Sequence, residues 1–240
     1  VVDLGSLPTP VFQYYVRTHD DIVGGVMVTA SHNPPEFNGV KLISANGLED
    51  PFLMDDSVNT IINTDARQVP WERIGEMRQV DGCIESYIDA VLSHVDAQAI
   101  SEAGLKICVD CANGSAFLVV PEILHRLNVR MVTMNGSSLG ELTGHDSELT
   151  SKNLENLGYM VVHSECDLGV AFDVDADRCL FVSSNGEMVP GDKSLALLAR
   201  STLSKRKGKI VTTVASSSAV EDEVDANGGI LKYVAVGAPN

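Results

Sequence analysis

The chain has 240 residues, of which 44% are hydrophobic and 21% are charged, so it is long enough to bury a sizeable core and to form about two domains. Its formal net charge of −16 argues against a nucleic-acid partner, because the phosphates of a nucleic acid would be repelled. No apolar run is long enough to span a bilayer, and the start of the chain lacks a signal-peptide pattern. The five cysteines are an odd number scattered through apolar segments. We therefore predict a cytoplasmic protein with reduced thiols that does not bind membranes.

The chain opens with a predicted helix and two predicted strands. Thr9 is typical of a helix N-cap and Pro10 of a first helical position, so we predict a helix that runs to about Arg17. The apolar run at Gly25–Thr29 predicts a strand, and Val40–Ile43 predicts the strand that returns beside it. The segment between the two strands is then a loop.

That loop contains the first candidate site. It carries Ser31, His32 and Asn33, is stiffened by Pro34, and is followed by Lys41. A strand that ends in a constrained loop with a hydroxyl, an imidazole and a nearby amine presents a nucleophile next to groups that transfer protons. Taken singly, Ser31 would be an ordinary polar residue at a strand end and Lys41 an ordinary solvated lysine. Ser31 is the predicted nucleophile if the surrounding motif is real.

The middle of the chain is predicted to alternate helices and strands. Leu48–Arg78 has no clear pattern beyond one helix around Met54–Thr64, whereas apolar residues over Ile84–Val95 fall on one helical face. Cys108 lies in a predicted strand and Cys111 follows it, and the sequence has no second C-x-x-C pair. We therefore do not expect a zinc or redox site there. The remaining elements are a strand at Leu105–Asp110, a helix at Ala116–Leu127, a strand at Val129–Met134 and a helix near Ser151–Val162.

An acidic loop between two apolar strands is the second candidate site. The strands are predicted at Leu168–Phe172 and Cys179–Ser183, and the loop between them carries Asp173, Asp175, Asp177 and Arg178. Three packed carboxylates repel one another unless a cation neutralises them, and ligands that are all oxygen favour Mg²⁺. An EF-hand would need glycine where Arg178 stands and glutamate where Ser184 stands. A solvated acidic turn is the remaining alternative.

The last third of the chain repeats an earlier pattern. Asn185-Gly186 predicts a hairpin turn, and Asp192–Ser204 predicts a helix. Lys106-Ile107 and Lys209-Ile210 each open the same order of strand, loop, helix and strand, which indicates an internal repeat. Duplicated units of this size are typical of successive α/β domains. The second copy is predicted as a strand at Ile210–Val214, a helix at Ala219–Asn227 and a strand at Ile230–Val236.

The two candidate loops together resemble those of the α-D-phosphohexomutase superfamily, which includes phosphomannomutase, phosphoglucomutase and phosphoglucosamine mutase. The phosphoserine loop of that family reads T-A-S-H-N-P, as at Thr29–Pro34, and the continuation to Lys41 is most similar to the phosphomannomutase/phosphoglucomutase branch. The metal loop of the family reads D-G-D-[GA]-D-R, as at Asp173–Arg178 with Val174 in place of a glycine. A third family motif, G-H-D-x-E-x-T, stands at Gly144–Thr150.

The resemblance implies a fold of successive three-layer α/β domains with mixed sheets. It implies a partial domain 1 with the phosphoserine loop at residues 1–79, domain 2 with the metal-binding loop at 80–189, and an incomplete start of domain 3 at 190–240. The chain begins at a segment that resembles the middle of domain 1 and stops early in domain 3. The upstream arginine-containing loop of domain 1 has no counterpart in the sequence, nor do the loops with which the family reads the sugar and clamps its phosphate, so the chain looks truncated at both ends. We therefore expect these 240 residues to bind Mg²⁺ but to turn over hexose phosphates poorly.

The resemblance also implies a reaction, the reversible transfer of a phosphoryl group between the C1 and C6 hydroxyls of a mannose or glucose phosphate. Ser31 would carry the phosphoryl group, and Mg²⁺ would bind to it and to the three aspartates. Arg178 would hold phosphate oxygens, and hexose 1,6-bisphosphate would be the activator. Lys41 or His32 would be the general acid/base, with the pKa of Lys41 lowered by neighbouring cations or burial. Asn33 is expected to fix the loop and to contact the cofactor.

Two other functions are considered. A haloacid-dehalogenase-like phosphatase also has an apolar strand followed by D-x-D, but it expects threonine or valine where Asp177 stands. A non-catalytic fragment of the same fold that binds a sugar phosphate would keep the structure without the chemistry. A phosphoryl group carried on Ser31 would distinguish the mutase from both alternatives.

Overall fold

The structure is a computed structural model that describes residues 1–34, 36–49, 60–61, 63–64, 69–137 and 145–237. Most of the helix predicted around 54–64 lies outside these residues, as do Pro35 of the serine motif and Gly144 of the third motif. Within the described part of the chain, no helix is both long and apolar enough to cross a bilayer.

The N-terminal elements form a helix beside a small antiparallel sheet. They are β1 (Val2–Asp3), α1 (Thr9–Thr18), β2 (Gly24–Val28) and β3 (Val40–Ser44). The predicted cap at Thr9 is wrong, because Pro8 occupies the N-cap position and makes no side-chain cap. The hydroxyl of Thr9 instead donates to a carboxylate far along the chain. Strand β3 pairs with β2 so that Lys41 lies opposite Met27.

The segment that follows consists mostly of short elements. Its elements are a 3₁₀ turn at Trp71–Arg73, β4 (Arg78–Gln79), α2 (Cys83–Ser93) and α3 (Ala97–Glu102). Helix α2 confirms the predicted helix, whereas β1, β4 and α3 are too short to show a periodicity. Strands β1 and β4 pair with each other in parallel. Asp96 begins α3 by accepting a hydrogen bond from the amide of Ala99.

A five-stranded mixed sheet is the centre of the described structure. Its strands are β5 (Lys106–Asp110), β6 (Arg130–Met134), β7 (Leu168–Phe172), β8 (Cys179–Ser183) and β9 (Met188–Val189). The strand order is β6-β5-β7-β8-β9, with β6, β5 and β7 parallel and the last two strands antiparallel to their neighbours. Strand β7 is central, and the loop that follows it lies at the carboxyl end of the parallel strands. Other elements can contact the loop there.

Helices cover both faces of this sheet, as the three-layer expectation required. Helix α4 (Val120–Arg126) lies after a 3₁₀ turn at Ser115–Leu118, and α5 (Glu155–His163) buries Leu157 against the opposite face. The single helix predicted from Ala116 to Leu127 is therefore wrong. The chain breaks at Val119, where φ is −127° and ψ is −50°, because the proline two residues later has no amide to donate to the preceding turn.

The C-terminal elements repeat the strand–helix–strand unit. They are α6 (Gly191–Lys205), β10 (Lys209–Thr213), α7 (Ser218–Ala226) and β11 (Ile230–Val234). Strands β10 and β11 pair in parallel, as β5 and β6 do, which confirms the internal repeat. Helices α6 and α7 pack through Leu203 and Val220, both of which are buried.

All five cysteines are free, and four of them are buried. Burial raises the pKa of both Cys108 and Cys111 to about 12, so neither thiol ionises near neutral pH. An un-ionised thiol is a poor nucleophile and a poor metal ligand.

Candidate active site

The two candidate loops lie against each other. We call residues 29–34 the serine loop and residues 173–178 the aspartate loop. The Oγ atom of Ser31 lies 3.3 Å from Oδ2 of Asp173, although the two residues are 142 positions apart in the chain. The serine loop follows β2 and the aspartate loop joins β7 to β8, so the fold brings the predicted nucleophile to the predicted metal ligands.

Ser31 has a constrained backbone. Its φ of 50° is in the left-handed region, which costs a residue with a Cβ about 1–2 kcal/mol relative to glycine. The Ser31 amide donates to Oγ1 of Thr29 at 2.9 Å, and Nδ1 of His32 lies 3.4 Å from the Ser31 hydroxyl. Backbone strain of this kind persists only where surrounding contacts enforce it. Here it points the hydroxyl towards the aspartates.

The three aspartates form one cluster of oxygen ligands. Asp173, Asp175 and Asp177 each offer a carboxylate oxygen, and these oxygens lie within 4.8 Å of one another. Asp173 and Asp175 are buried, and Ala176 has a φ of 57° that turns the chain between the second and third carboxylates. The residue at the family glycine position, Val174, does not have a positive φ, so its branched side chain fits without backbone strain.

One carboxylate oxygen of Asp175 has three polar partners, and the other has no hydrogen-bond partner among the described residues. Its Oδ2 accepts hydrogen bonds from Thr9 Oγ1 at 3.0 Å and Thr29 Oγ1 at 3.2 Å and lies 3.0 Å from the ammonium nitrogen of Lys41. Its Oδ1 is buried and has no hydrogen-bond partner among the described residues. A buried carboxylate oxygen without a donor is unfavourable unless a cation binds it. The donor set and this open oxygen therefore fit Mg²⁺.

The charges around the cluster also favour a cation. Burial and repulsion by Asp175 and Asp177 raise the pKa of Asp173, although hydrogen bonds from Arg178 oppose the rise. Burial alone would raise the pKa of Asp175, but Lys41 and the two threonine hydroxyls lower it below its ordinary value. The two neighbouring carboxylates thus share one strongly anionic site.

Lys41 is held as a cation by carboxylates. Its Nζ lies 2.5 Å from Asp177 Oδ2, 3.0 Å from Asp175 Oδ2 and 3.5 Å from Glu49 Oε1. Burial lowers the pKa of Lys41, but Asp177 and Asp175 more than offset this and hold it above the ordinary lysine value. The expected lowering of the pKa is therefore wrong, because the neighbours of Lys41 are anions rather than cations.

The remaining candidate residues also lie at these loops. Arg178 donates its backbone amide to Asp173 Oδ1 at 3.0 Å and its Nε to Asp173 Oδ2 at 2.9 Å. Its side chain is 41% exposed and is therefore partly accessible to solvent. Asn33 donates through its side chain and its backbone amide to the carbonyl of Ala30, both at 3.0 Å. These bonds close the turn around Ser31.

Sequence reasoning missed the residues that support the aspartate loop. The amide and the hydroxyl of Ser115 donate to the carbonyl of Val174 at 2.8 and 3.1 Å. A Cβ on Gly114 would lie 2.3 Å from that carbonyl oxygen, so only glycine allows this approach. Nothing in the sequence of Asn113-Gly114 shows which loop this segment contacts. The roles of Thr9 and Thr29 were missed for the same reason.

Replacing Gly114 with alanine is expected to displace the aspartate loop. The added methyl would meet three backbone atoms of Val174 at 2.3–2.8 Å, and backbone cannot rotate away as a side chain can. We expect the free energy of unfolding, measured by urea denaturation, to fall by about 1–3 kcal/mol. The matched control is Gly208→Ala, where a new Cβ has nothing within 4 Å. Equal stability of the two variants would contradict the proposed contact.

Comparison with known proteins finds matches along most of the chain. Family models described as phosphoglucomutase/phosphomannomutase alpha/beta/alpha domains I, II and III match residues 1–68, 85–186 and 190–240, respectively. A phosphoglucomutase/phosphomannomutase of Thermococcus kodakarensis is 36% identical over 99% of the chain, which covers 52% of that relative. A phosphoglucosamine mutase of Methanocaldococcus jannaschii is 33% identical over 93% of the chain and 49% of that relative.

Solved structures show the same fold. A Thermus thermophilus protein assigned as a phosphomannomutase superposes with a TM-score of 0.88 at 26% identity, covering 99% of this chain and 54% of that one. The chain spans about half the length of the curated relatives it matches.

Proposed function

Because the chain belongs to the phosphoglucomutase/phosphomannomutase family, we propose that its site performs the phosphoryl-transfer chemistry of a phosphohexomutase. The reaction is the reversible movement of a phosphoryl group between the C1 and C6 hydroxyls of a hexose phosphate. The observation that carries the proposal is the 3.3 Å approach of the Ser31 hydroxyl to a cluster of three aspartates with an open buried oxygen.

Ser31 is the proposed phosphoryl carrier. In the charging step the Ser31 oxygen bonds to the phosphorus of a hexose 1,6-bisphosphate, and the bond from phosphorus to the sugar oxygen breaks. The proton of Ser31 passes to a base, and a proton returns to the sugar oxygen that leaves. His32 is the proposed base because its Nδ1 lies 3.4 Å from the hydroxyl.

Lys41 is better suited to donating than to accepting a proton. Its raised pKa keeps it an ammonium between Asp175 and Asp177, so it supplies positive charge to an arriving phosphate and can protonate a leaving oxygen. Arg178 supplies a second positive group, because its side chain is partly exposed. We propose that Lys41 and His32 divide the acid and base roles between them.

The aspartate loop is proposed to hold the metal. Asp173, Asp175 and Asp177 would bind Mg²⁺ together with an oxygen of phosphorylated Ser31. Bound there, the ion would neutralise the carboxylates and stabilise negative charge on the transferring group. Asn33 would keep the serine loop closed around the cofactor through its bonds to Ala30.

The test is phosphoryl uptake by the 240-residue chain. Chain freed of metal is incubated with hexose 1,6-bisphosphate, with Mg²⁺ or with a chelator, and its intact mass and phosphopeptides are measured. We expect one phosphoryl group on Ser31 with Mg²⁺ and none with the chelator, because uncompensated carboxylates repel a phosphate. Steady release of inorganic phosphate without a labelled serine would instead indicate a phosphatase. Binding of a sugar phosphate without either reaction would indicate a non-catalytic fragment.

A further inference from the structure

The aspartate loop is supported from the C-terminal end of β5. Asp110 ends that strand and is 1% exposed. Its Oδ1 accepts hydrogen bonds from the amide of Ala112 at 3.0 Å and from Nδ2 of Asn135 at 2.9 Å. These bonds fix the start of the turn that leads to Ser115, whose amide and hydroxyl hold the carbonyl of Val174. Asp110 therefore stabilises the turn whose residues hold the aspartate loop.

The other oxygen of Asp110 faces a buried histidine. Oδ2 of Asp110 lies 3.3 Å from Nε2 of His145, and Nδ1 of His145 lies 2.6 Å from the backbone oxygen of Asp146. The Nε2–Oδ2 contact does not have the geometry of a hydrogen bond, but a protonated imidazole at this distance is attracted to the Asp110 carboxylate. In agreement, Asp110 raises the pKa of His145 above its ordinary value. The ion pair anchors residues 145–147 to the end of β5.

Ser147 joins this anchored segment to the serine loop. Its hydroxyl is shared between the carbonyl oxygens of His32 and Asn33, at 2.7 and 2.9 Å. His32 and Asn33 are the two residues that directly follow Ser31. Ser147 is 4% exposed, so water cannot easily replace its hydroxyl if it is removed. One buried hydroxyl thus restrains the backbone beside the nucleophile.

We propose that Ser147, carried on the Asp110–His145 ion pair, is a positioning residue that fixes Ser31 opposite the aspartate loop. Asp110 then stabilises both loops of the site. One of its oxygens holds the turn that contacts Val174 of the aspartate loop, and the other lies against His145 in the segment that contacts the serine loop. The purpose of the restraint, phosphoryl transfer to Ser31, rests on the proposed function. The restraint itself is measurable without any reaction.

The test compares Ser147→Ala with two matched variants. Amide hydrogen exchange at His32 and Asn33 is expected to become at least about tenfold faster in Ser147→Ala, because the loop loses its buried donor. The saturating single-turnover rate of Ser31 phosphorylation by hexose 1,6-bisphosphate is expected to fall about 10–100-fold. The dissociation constant for Mg²⁺ should not change. Ser147→Thr, which keeps the hydroxyl, should restore both rates, and the exposed Ser151→Ala should alter neither.

The outcomes separate this inference from the proposed function. Unchanged exchange at His32 and Asn33, or faster exchange with an unchanged phosphorylation rate, would overturn it. A parallel loss of Mg²⁺ affinity would also overturn it, since that would show general damage to the site. If the wild-type chain takes up no phosphoryl group, the proposed function fails, while faster exchange in Ser147→Ala still supports the restraint. His145→Gln is a second variant that should change exchange in the same direction if Ser147→Ala does not fold.

Discussion

Replacing Ser31 with alanine is expected to abolish phosphoryl uptake by the chain completely. The hydroxyl that lies 3.3 Å from Asp173 is the only atom of this residue that can bond to phosphorus, and alanine lacks it. The variant should still bind Mg²⁺, because the three carboxylates and the open oxygen of Asp175 are unaffected. Intact mass and phosphopeptide mapping after incubation with hexose 1,6-bisphosphate and Mg²⁺ measure the loss.

Two control variants make the Ser31 result specific. Ser31→Gly also lacks the hydroxyl but adopts the φ of 50° without strain, so it separates loss of the nucleophile from distortion of the loop. Ser201→Ala removes an exposed serine on α6 and should label like the wild type. Retained labelling of either Ser31 variant at another residue would mean that the carrier has been misassigned.

Replacing Asp175 with asparagine is expected to weaken Mg²⁺ binding by at least about 10–100-fold, the loss typical even of residues that only support a metal ligand. Asparagine has the same shape but removes a full negative charge, and its amide group places a donor where a cation or Lys41 needs an acceptor. The measurements are calorimetric titration with Mg²⁺ and the shift in thermal midpoint that the ion produces. A cation that binds only the folded chain stabilises it by about 2.7 kcal/mol at a concentration 100 times its dissociation constant, and most of this should disappear.

Asp20→Asn is the matched control for this prediction. It makes the same change in net charge at an exposed position after α1, away from the aspartate loop. Both variants reduce the overall negative charge equally, so a difference between them reports the local site rather than the field of the whole protein. Equal Mg²⁺ affinities for Asp175→Asn and the wild type would show that the ion binds elsewhere or not at all.

The parts of the site that the sequence predicted are those encoded by short continuous segments. The strand at Leu168–Phe172, the aspartates after it and the strand at Cys179–Ser183 are as expected, because apolar runs and a charged turn are local signals. Ser31 was singled out in the same way from the segment around it. The observed distance between the two loops, however, depends on packing that no local pattern encodes.

What the sequence could not predict depends on contacts between distant residues. Threonine is a residue type that often caps helices, yet the hydroxyl of Thr9 donates to Asp175, 166 residues away. The pKa of Lys41 was expected to be lowered by neighbouring cations or burial, but the pairing of β3 with β2 carries Lys41 to carboxylates that raise it. The break in the helix before Pro121 is a competition between helical propensity and a missing amide, which the apolar periodicity alone did not reveal.

The saturated oxygen of Asp175 ties two separate parts of the chain into one unit. Three donors from residues before position 45 hold a carboxylate of the aspartate loop, which joins two strands of the central sheet. Any hinge motion that widens the gap between those parts withdraws all three donors together and takes Ser31 away from Asp173. The contacts around Asp175 and the approach of Ser31 to Asp173 therefore form together or are lost together.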